Sequence, residues 1–289
     1  MFKYKTHGKW ILAGEHSVLR GGEALVFPVK SRCLEFSFES ADEMKLTIPE
    51  DHSDLEMAFW GVFEKALQKL NLSRKDISGH IQMDSNIPVG AGMGASATLC
   101  VSLARLFCDL GHLKEEDQYT FAKSLEDLFH GESSGVDVAV ALNHKSLSFK
   151  KPQSMEMFEP VWQPMFYLSY CGKRGVTSDC IRKVQKLIES DQKLGDKLDS
   201  QMQESVALAK QALLKQNDIE NLMASIKLAR NCFQQWGLIG NDLNLHMSFL
   251  EQEGAIATKP TGSGDGGFVL SLWNTKPDPS KFNFELIEA

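Results

Sequence analysis

The stretch from Asn86 to Ala97 constrains this chain more than any other. Gly90, Gly92 and Gly94 alternate, and Ala95, Ser96 and Ala97 follow without a bulky side chain. Leu99, Leu103, Leu106 and Leu110 then recur at helical spacing, with Val101, Ala104 and Phe107 filling in. A glycine-dense turn therefore runs into the start of an amphipathic helix. Free backbone N–H groups and the positive end of a helix dipole gather there, an arrangement suited to a phosphate group. Glycine allows close approach because it lacks a Cβ and tolerates positive φ. A tight strand-to-helix turn with no ligand fits the same residues.

The length of 289 residues allows one large domain or two of about 100–200 residues each. A net charge of −7 argues against non-specific binding to nucleic acid or anionic membranes, and leaves room for a local basic pocket. Cys33, Cys100, Cys108, Cys171, Cys180 and Cys232 show no CxxC or Cys/His ligand spacing. Cys100 and Cys108 fall in one predicted helix, which suits buried free thiols better than a disulfide framework. The N-terminus lacks a long apolar signal core, and no run of about 18 apolar residues occurs. The expectation is a soluble, cytoplasmic protein.

Hydrophobic patterning predicts strands at Lys9–Ala13, Ala24–Val29, Cys33–Ser40, Lys45–Ile48 and His80–Asp84. Ser53–Leu70 reads as a helix with a capping box at Ser53 and Glu56, and with Leu55, Phe59, Val62, Phe63, Ala66, Leu67 and Leu70 on one stripe. A further helix covers about 115–129 and ends in the loop His130–Asp137. The stretch around 150–164 carries three prolines and no period, and reads as a connection between domains spanning 1–155 and 156–289. Beyond it come a strand at Met165–Tyr170, three or four helices within 177–253, and strands at Gly267–Trp273 and near Phe282–Ile287.

Four segments combine glycine or small residues with a charged or hydroxyl group: 8–22, 86–97, 126–137 and 259–267. Lys9 reads as a solvated lysine at a strand start or as a cation beside a reacting hydroxyl. Glu15 and His16 brace a turn, and no second His or Cys nearby supports zinc. Asp137 is placed either to accept a proton from a substrate hydroxyl or to cap a turn. Glu126 lies near the end of its helix, where its charge opposes the dipole; Mg²⁺ coordination or a solvated surface position accounts for it. Gly262, Gly264 and Gly267 match GxGxxG formally, but a strand follows them where a dinucleotide site needs a helix. No GxxxxGK[ST] occurs, so a Walker loop is excluded.

Taken together, GKWILAGEHSVLRGGEAL, PVGAGMGASA, HGESSGVD and KPTGSGDGG resemble, in order, motifs of the GHMP kinase superfamily. Within it the resemblance is strongest to the mevalonate kinase family, and it spans positions 8–267. It implies an α+β fold of two domains, a ribosomal-protein-S5-like N-terminal half that binds ATP and a ferredoxin-like C-terminal half. It implies ATP and Mg²⁺ as cofactors and a small-molecule alcohol, mevalonate, as acceptor, with no nucleic-acid or membrane partner; homodimers are common in relatives. By the same resemblance Asp137 is the catalytic carboxylate and Lys9 lowers the effective pKa of the attacking hydroxyl. Gly90, Ala91, Gly92, Gly94, Ala95 and Ser96 wrap the ATP phosphates. Ser96 and Glu126 hold Mg²⁺. His16, Thr177 and Gly262 lie on the substrate side, His16 near the substrate carboxylate.

The chain departs from the family pattern at four places. His7 and Ser133 replace prolines, Ala95 replaces the first of two serines, and Asp265 puts a charge in a loop of glycine and small residues. Other GHMP acceptors, phosphomevalonate or a sugar, form the alternative reading. A non-catalytic ligand-binding protein on the same fold is the second, kept open by Asp265.

Overall fold

The computed structural model describes residues 1–49, 53–131, 133–151 and 154–289. Two compact units emerge, neither continuous in sequence. The first comprises Met1–Lys9, Val29–Val89 and Gly94–His144; the second comprises Trp10–Pro28, Gly90–Met93 and Lys145–Ala289. Two long strands, β1 (Phe2–Ala13) and β2 (Glu23–Ser40), each pass from one unit to the other along the chain.

The sequence pattern divides β2 between Val29 and Cys33, but the strand is continuous. Its ladders to the strands at Leu147–Lys150 and Gly79–Ser85 run over Glu23–Val26 and Leu34–Ser40, so Pro28 falls outside both. In the first unit β2 pairs antiparallel with β4 (Gly79–Ser85), and β3 (Lys45–Thr47) joins β4 in parallel. Leu34, Phe36 and Phe38 alternate inward opposite Ile81 and Met83, the period of two that a half-buried strand requires.

The helices of this unit are α1 (Ser53–Leu70), α2 (Ala95–Asp109), α3 (Gln118–His130) and α4 (Val136–Asn143). The Ser53 side chain, and with it the capping box read there, lies outside the described residues. Phe59 stacks on Phe63 at 5.2 Å, Phe63 on Phe107 at 6.2 Å, and Phe107 meets Phe121 edge-on at 6.1 Å. This aromatic column joins α1, α2 and α3, and Phe107 is fully buried in it. Truncation to alanine removes both the transfer free energy and the ring contacts. Phe107→Ala should therefore destabilise the protein by about 3–5 kcal/mol in urea unfolding. A loss below about 1 kcal/mol would mean that the column is not a major source of stability.

In the second unit the strands β7 (Met165–Tyr170), β8 (Ala257–Thr261), β9 (Phe268–Trp273) and β10 (Ile287–Glu288) form an antiparallel sheet ordered β10-β7-β9-β8. Every residue of β9 is buried, as its central place demands, and Pro260 sits in the edge strand β8, where a lost N–H is tolerated. Four helices follow β7: α5 (Thr177–Ser190), α6 (Gln192–Leu213), α7 (Ile219–Gln235) and α8 (Asn241–Gln252). Asp191 and Asp218 cap α6 and α7 by accepting from the Leu194 and Asn221 N–H groups. Val184, Leu198, Met202, Phe233 and Trp236 build the core between α5, α6 and α7.

The aperiodic stretch read as a connection contains β6 (Ser154–Met157), which pairs with β5 (Leu147–Lys150). Only Met155 of β6 is even half-buried, so its apolar pattern is too weak to read. The strand expected near Phe282–Ile287 reduces to β10, because Phe282 and Phe284 instead pack against Phe249. All six cysteines are free thiols, Cys108 half-buried and Cys100 fully buried. Among the described residues no helix is long and apolar enough to cross a membrane.

One buried and one half-buried histidine tie stability to pH. His246 Nε2 lies 2.7 Å from Ser169 Oγ, and burial lowers its pKa to about 4; burial does the same to His16, also to about 4. The unfolded chain takes up these protons near 6.5, the folded one only near 4. Stability should therefore fall as pH drops through that window. Urea unfolding at pH 7 and pH 5 checks this, and His246→Gln should flatten the dependence.

Candidate active site

The first unit brings together four of the residues singled out in the sequence. Lys9, on β1, is buried, and its Nζ lies 3.1 Å from Asp137 Oδ1. The solvated-lysine reading is thereby excluded. Asp137 is not in a loop: it is the second residue of α4, which starts at Val136 after Gly135 in the left-handed region at φ 83°. Five buried apolar residues close this short helix against the core, and a stripe so short is hard to separate from a loop by periodicity. Since Gly135 is the N-cap residue, Asp137 is free of a capping duty. Buried cations need a counter-charge, and Asp137 supplies it while remaining the more accessible partner, with 23% of its side chain exposed against 6% for Lys9.

Gly94 closes over this pair. A Cβ there would stand 3.1 Å from Lys9 Cγ and 3.5 Å from Asp137 Oδ2, on a backbone at φ +79°. Gly94 is also the N-cap residue of α2 and offers no side-chain cap. The N–H groups of the first turn of α2, where Ala95 and half-buried Ser96 stand, thus present the positive helix end. Gly90 and Gly92 are left-handed too, at φ 72° and 86°. Alternation of left-handed glycines with Ala91 and Met93 turns successive N–H groups to one side, the geometry of an anion nest.

Glu126 is 2% exposed in α3, which removes the surface reading. Burial first, and then the negative charge of Asp137, raise its carboxyl pKa to about 8, while Lys9 opposes the shift. A buried carboxyl that feels the charge of Asp137 would be relieved by a divalent cation. The oxygen donors of Glu126 and Ser96 suit Mg²⁺, which takes few protein ligands and fills its shell with water and phosphate. Among the described residues no cluster of three or more His, Cys, Asp or Glu that could hold a metal ion occurs.

Within the second unit, Glu15 pairs with Lys259, both almost completely buried, and Lys259 Nζ also donates to the Ile11 carbonyl at 3.2 Å. The lysine that opens the last motif is therefore an internal anchor, a role that sequence does not disclose because buried lysines are rare. His16 Nε2 donates to the Ser263 carbonyl at 2.9 Å, and its ring meets Trp236 edge-on at 5.1 Å. A carbonyl only accepts, so the neutral His16 carries its proton on Nε2 and has Nδ1 as an acceptor. Thr177, the first residue of α5, donates to Ser263 Oγ at 3.4 Å, so both substrate-side candidates meet at Ser263. Gly262 and Gly267 lie against the Gly90–Met93 segment: their Cβ atoms would stand 3.5 Å from Gly92 O and 2.8 Å from Ala91 O. The GxGxxG match lies between antiparallel β8 and β9, as the rejection of a dinucleotide site requires. Asp265 is neutralised by Lys173 at 3.2 Å.

Within the first unit a strand-borne lysine is thus paired with a helix-borne aspartate beside left-handed Gly94, with Glu126 buried in the same unit. Residues 58–145 match the family described as GHMP kinases N terminal domain. Relatives that match over nearly the whole chain include mevalonate kinases. The mevalonate kinase of Archaeoglobus fulgidus is 26% identical over 281 residues, covering 96% of this chain and 94% of its own. The fold matches the crystal structure of L. major mevalonate kinase in complex with R-mevalonate at a TM-score of 0.78 and 20% identity, covering 96% of this chain and 88% of that one. It matches Methanococcus jannaschii mevalonate kinase at a TM-score of 0.78 and 18% identity, covering 99% and 96% of the two chains.

Proposed function

We propose that this chain is an ATP-dependent mevalonate kinase, transferring the γ-phosphoryl group to the primary hydroxyl to give 5-phosphomevalonate and ADP. The observation that carries the reading is the Lys9–Asp137 pair at the glycine-started helices, with Glu126 buried beside it. In this reading Asp137 takes the hydroxyl proton as the oxygen attacks phosphorus, and the P–O bond to ADP breaks. Lys9 aims Asp137 through their ion pair and offsets negative charge on the attacking oxygen. The N–H groups of Gly90, Ala91, Gly92, Gly94, Ala95 and Ser96 hold the phosphates in line. Ser96 and Glu126 would hold Mg²⁺, which when bound neutralises charge on the terminal phosphates. His16, Thr177 and Gly262 serve the substrate side, with His16 acting as a neutral acceptor at Nδ1 rather than as a cation toward a carboxylate.

The ligand-binding alternative rested on a charge at Asp265 that a phosphate loop would not tolerate; the Lys173 pairing supplies the missing cation. ADP release measured with mevalonate, phosphomevalonate, homoserine and galactose tests the proposal. Turnover with mevalonate is expected; turnover with galactose alone would sink the assignment. Ser96→Ala should raise the Mg²⁺ concentration for half-maximal rate about 10-fold or more. An unchanged metal titration would count against Ser96 as a ligand.

A further inference from the structure

The turn that delivers Asp137 is held by a carboxylate outside the reacting set. Asp127, one residue after Glu126 on α3, accepts the Ser133 backbone N–H on Oδ1 at 2.8 Å. Its own carbonyl accepts the Gly131 N–H at 2.8 Å, so one residue holds the turn with main chain and side chain together. Lys123, one helical turn earlier, reaches both oxygens of Asp127 at 3.2 and 3.3 Å and fixes the carboxylate. The Ser133 and Lys123 contacts together keep it below the usual carboxylate range in spite of burial. From Ser133 the path to the base is short. Ser134 Oγ accepts the Val136 N–H at 3.3 Å, the Gly135 carbonyl accepts the first helical bond from Ala139 at 2.9 Å, and Asp137 stands within that first turn. Tyr119 adds a hydroxyl bond to the Gly135 carbonyl at 3.4 Å.

We infer that Asp127 is a positioning residue for the phosphoryl transfer: by capturing the Ser133 N–H it sets where α4 begins and so where Asp137 stands relative to Lys9. The bond exists because position 133 is serine and has an N–H to give; a proline there, which lacks the donor and fixes its own φ, would hold the turn by a different means. The inference rests on the kinase reading above. An in-line transfer loses about 100-fold for a misplacement near 1 Å, so a charged hydrogen bond four residues from the base is placed to matter.

The test is a double-mutant cycle on the whole chain with Asp127→Ala, Asp127→Asn and Ser133→Pro, read by kcat, KM for ATP and hydrogen exchange of the Ser133 amide. Asp127→Ala should lower kcat by about 10–100-fold with KM for ATP little changed, and the Ser133 amide should lose its protection. Asp127→Asn keeps an acceptor oxygen and should recover most of the rate. In the Ser133→Pro background, where the bond is already absent, Asp127→Ala should cost no further activity. Deficits that simply multiply, or a normal kcat with the amide exposed, would overturn the inference. A wild-type chain inactive toward every acceptor alcohol tried would instead remove the kinase reading, and the amide exchange would still report whether Asp127 holds the turn.

Discussion

Asp137→Asn should lower kcat by about 10²–10⁴-fold at saturating ATP and acceptor, the usual contribution of a positioned general base. The substitution keeps the shape of the side chain and one oxygen toward Lys9, so the fold should survive and KM for ATP should change little. It removes the charge that accepts the proton. The residual rate would come from phosphate positioning by the glycine loop, which the variant leaves untouched. The same change also takes away one of the two charges that raise the Glu126 carboxyl, so Glu126 should ionise more readily in the variant. Near-normal turnover in a folded Asp137→Asn protein would show that the proton leaves by another route.

Lys9→Met should be nearly as severe, with a loss on the order of 10²–10³ in kcat. Methionine fills the buried space beside Gly94 and removes only the cation. Asp137 then loses its ion-pair partner, and negative charge on the attacking oxygen is no longer offset. The thermal midpoint separates this from unfolding and should move little. Lys9→Met with an unchanged rate would mean that the 3.1 Å pair to Asp137 is structural only.

Much of this site is legible in the sequence because glycine leaves a strong mark. Gly90, Gly92 and Gly94 alternate where the backbone is left-handed, and no other residue type takes that conformation without strain. The helices α1 and α2 are equally plain, since long stripes at Leu and Phe positions have no other reading. Short, fully buried elements are less plain: α4 has eight residues and apolar neighbours on several sides, so Asp137 passes for a loop residue. Partnership over long separations is invisible altogether. Nothing in the order of residues says that Lys259 answers Glu15, that Lys173 answers Asp265, or that Ser263 receives both His16 and Thr177. The discontinuous units have the same cause, because β1 and β2 cross from one to the other without any change of composition.

The most direct test of the central claim is to identify the product. Wild-type protein with ATP, Mg²⁺ and mevalonate, followed by phosphorus and carbon NMR, should yield equal amounts of ADP and 5-phosphomevalonate, and Asp137→Asn should yield neither at a comparable rate. ADP formed without a phosphorylated primary hydroxyl, or a phosphorylated product from another acceptor and none from mevalonate, would contradict the account.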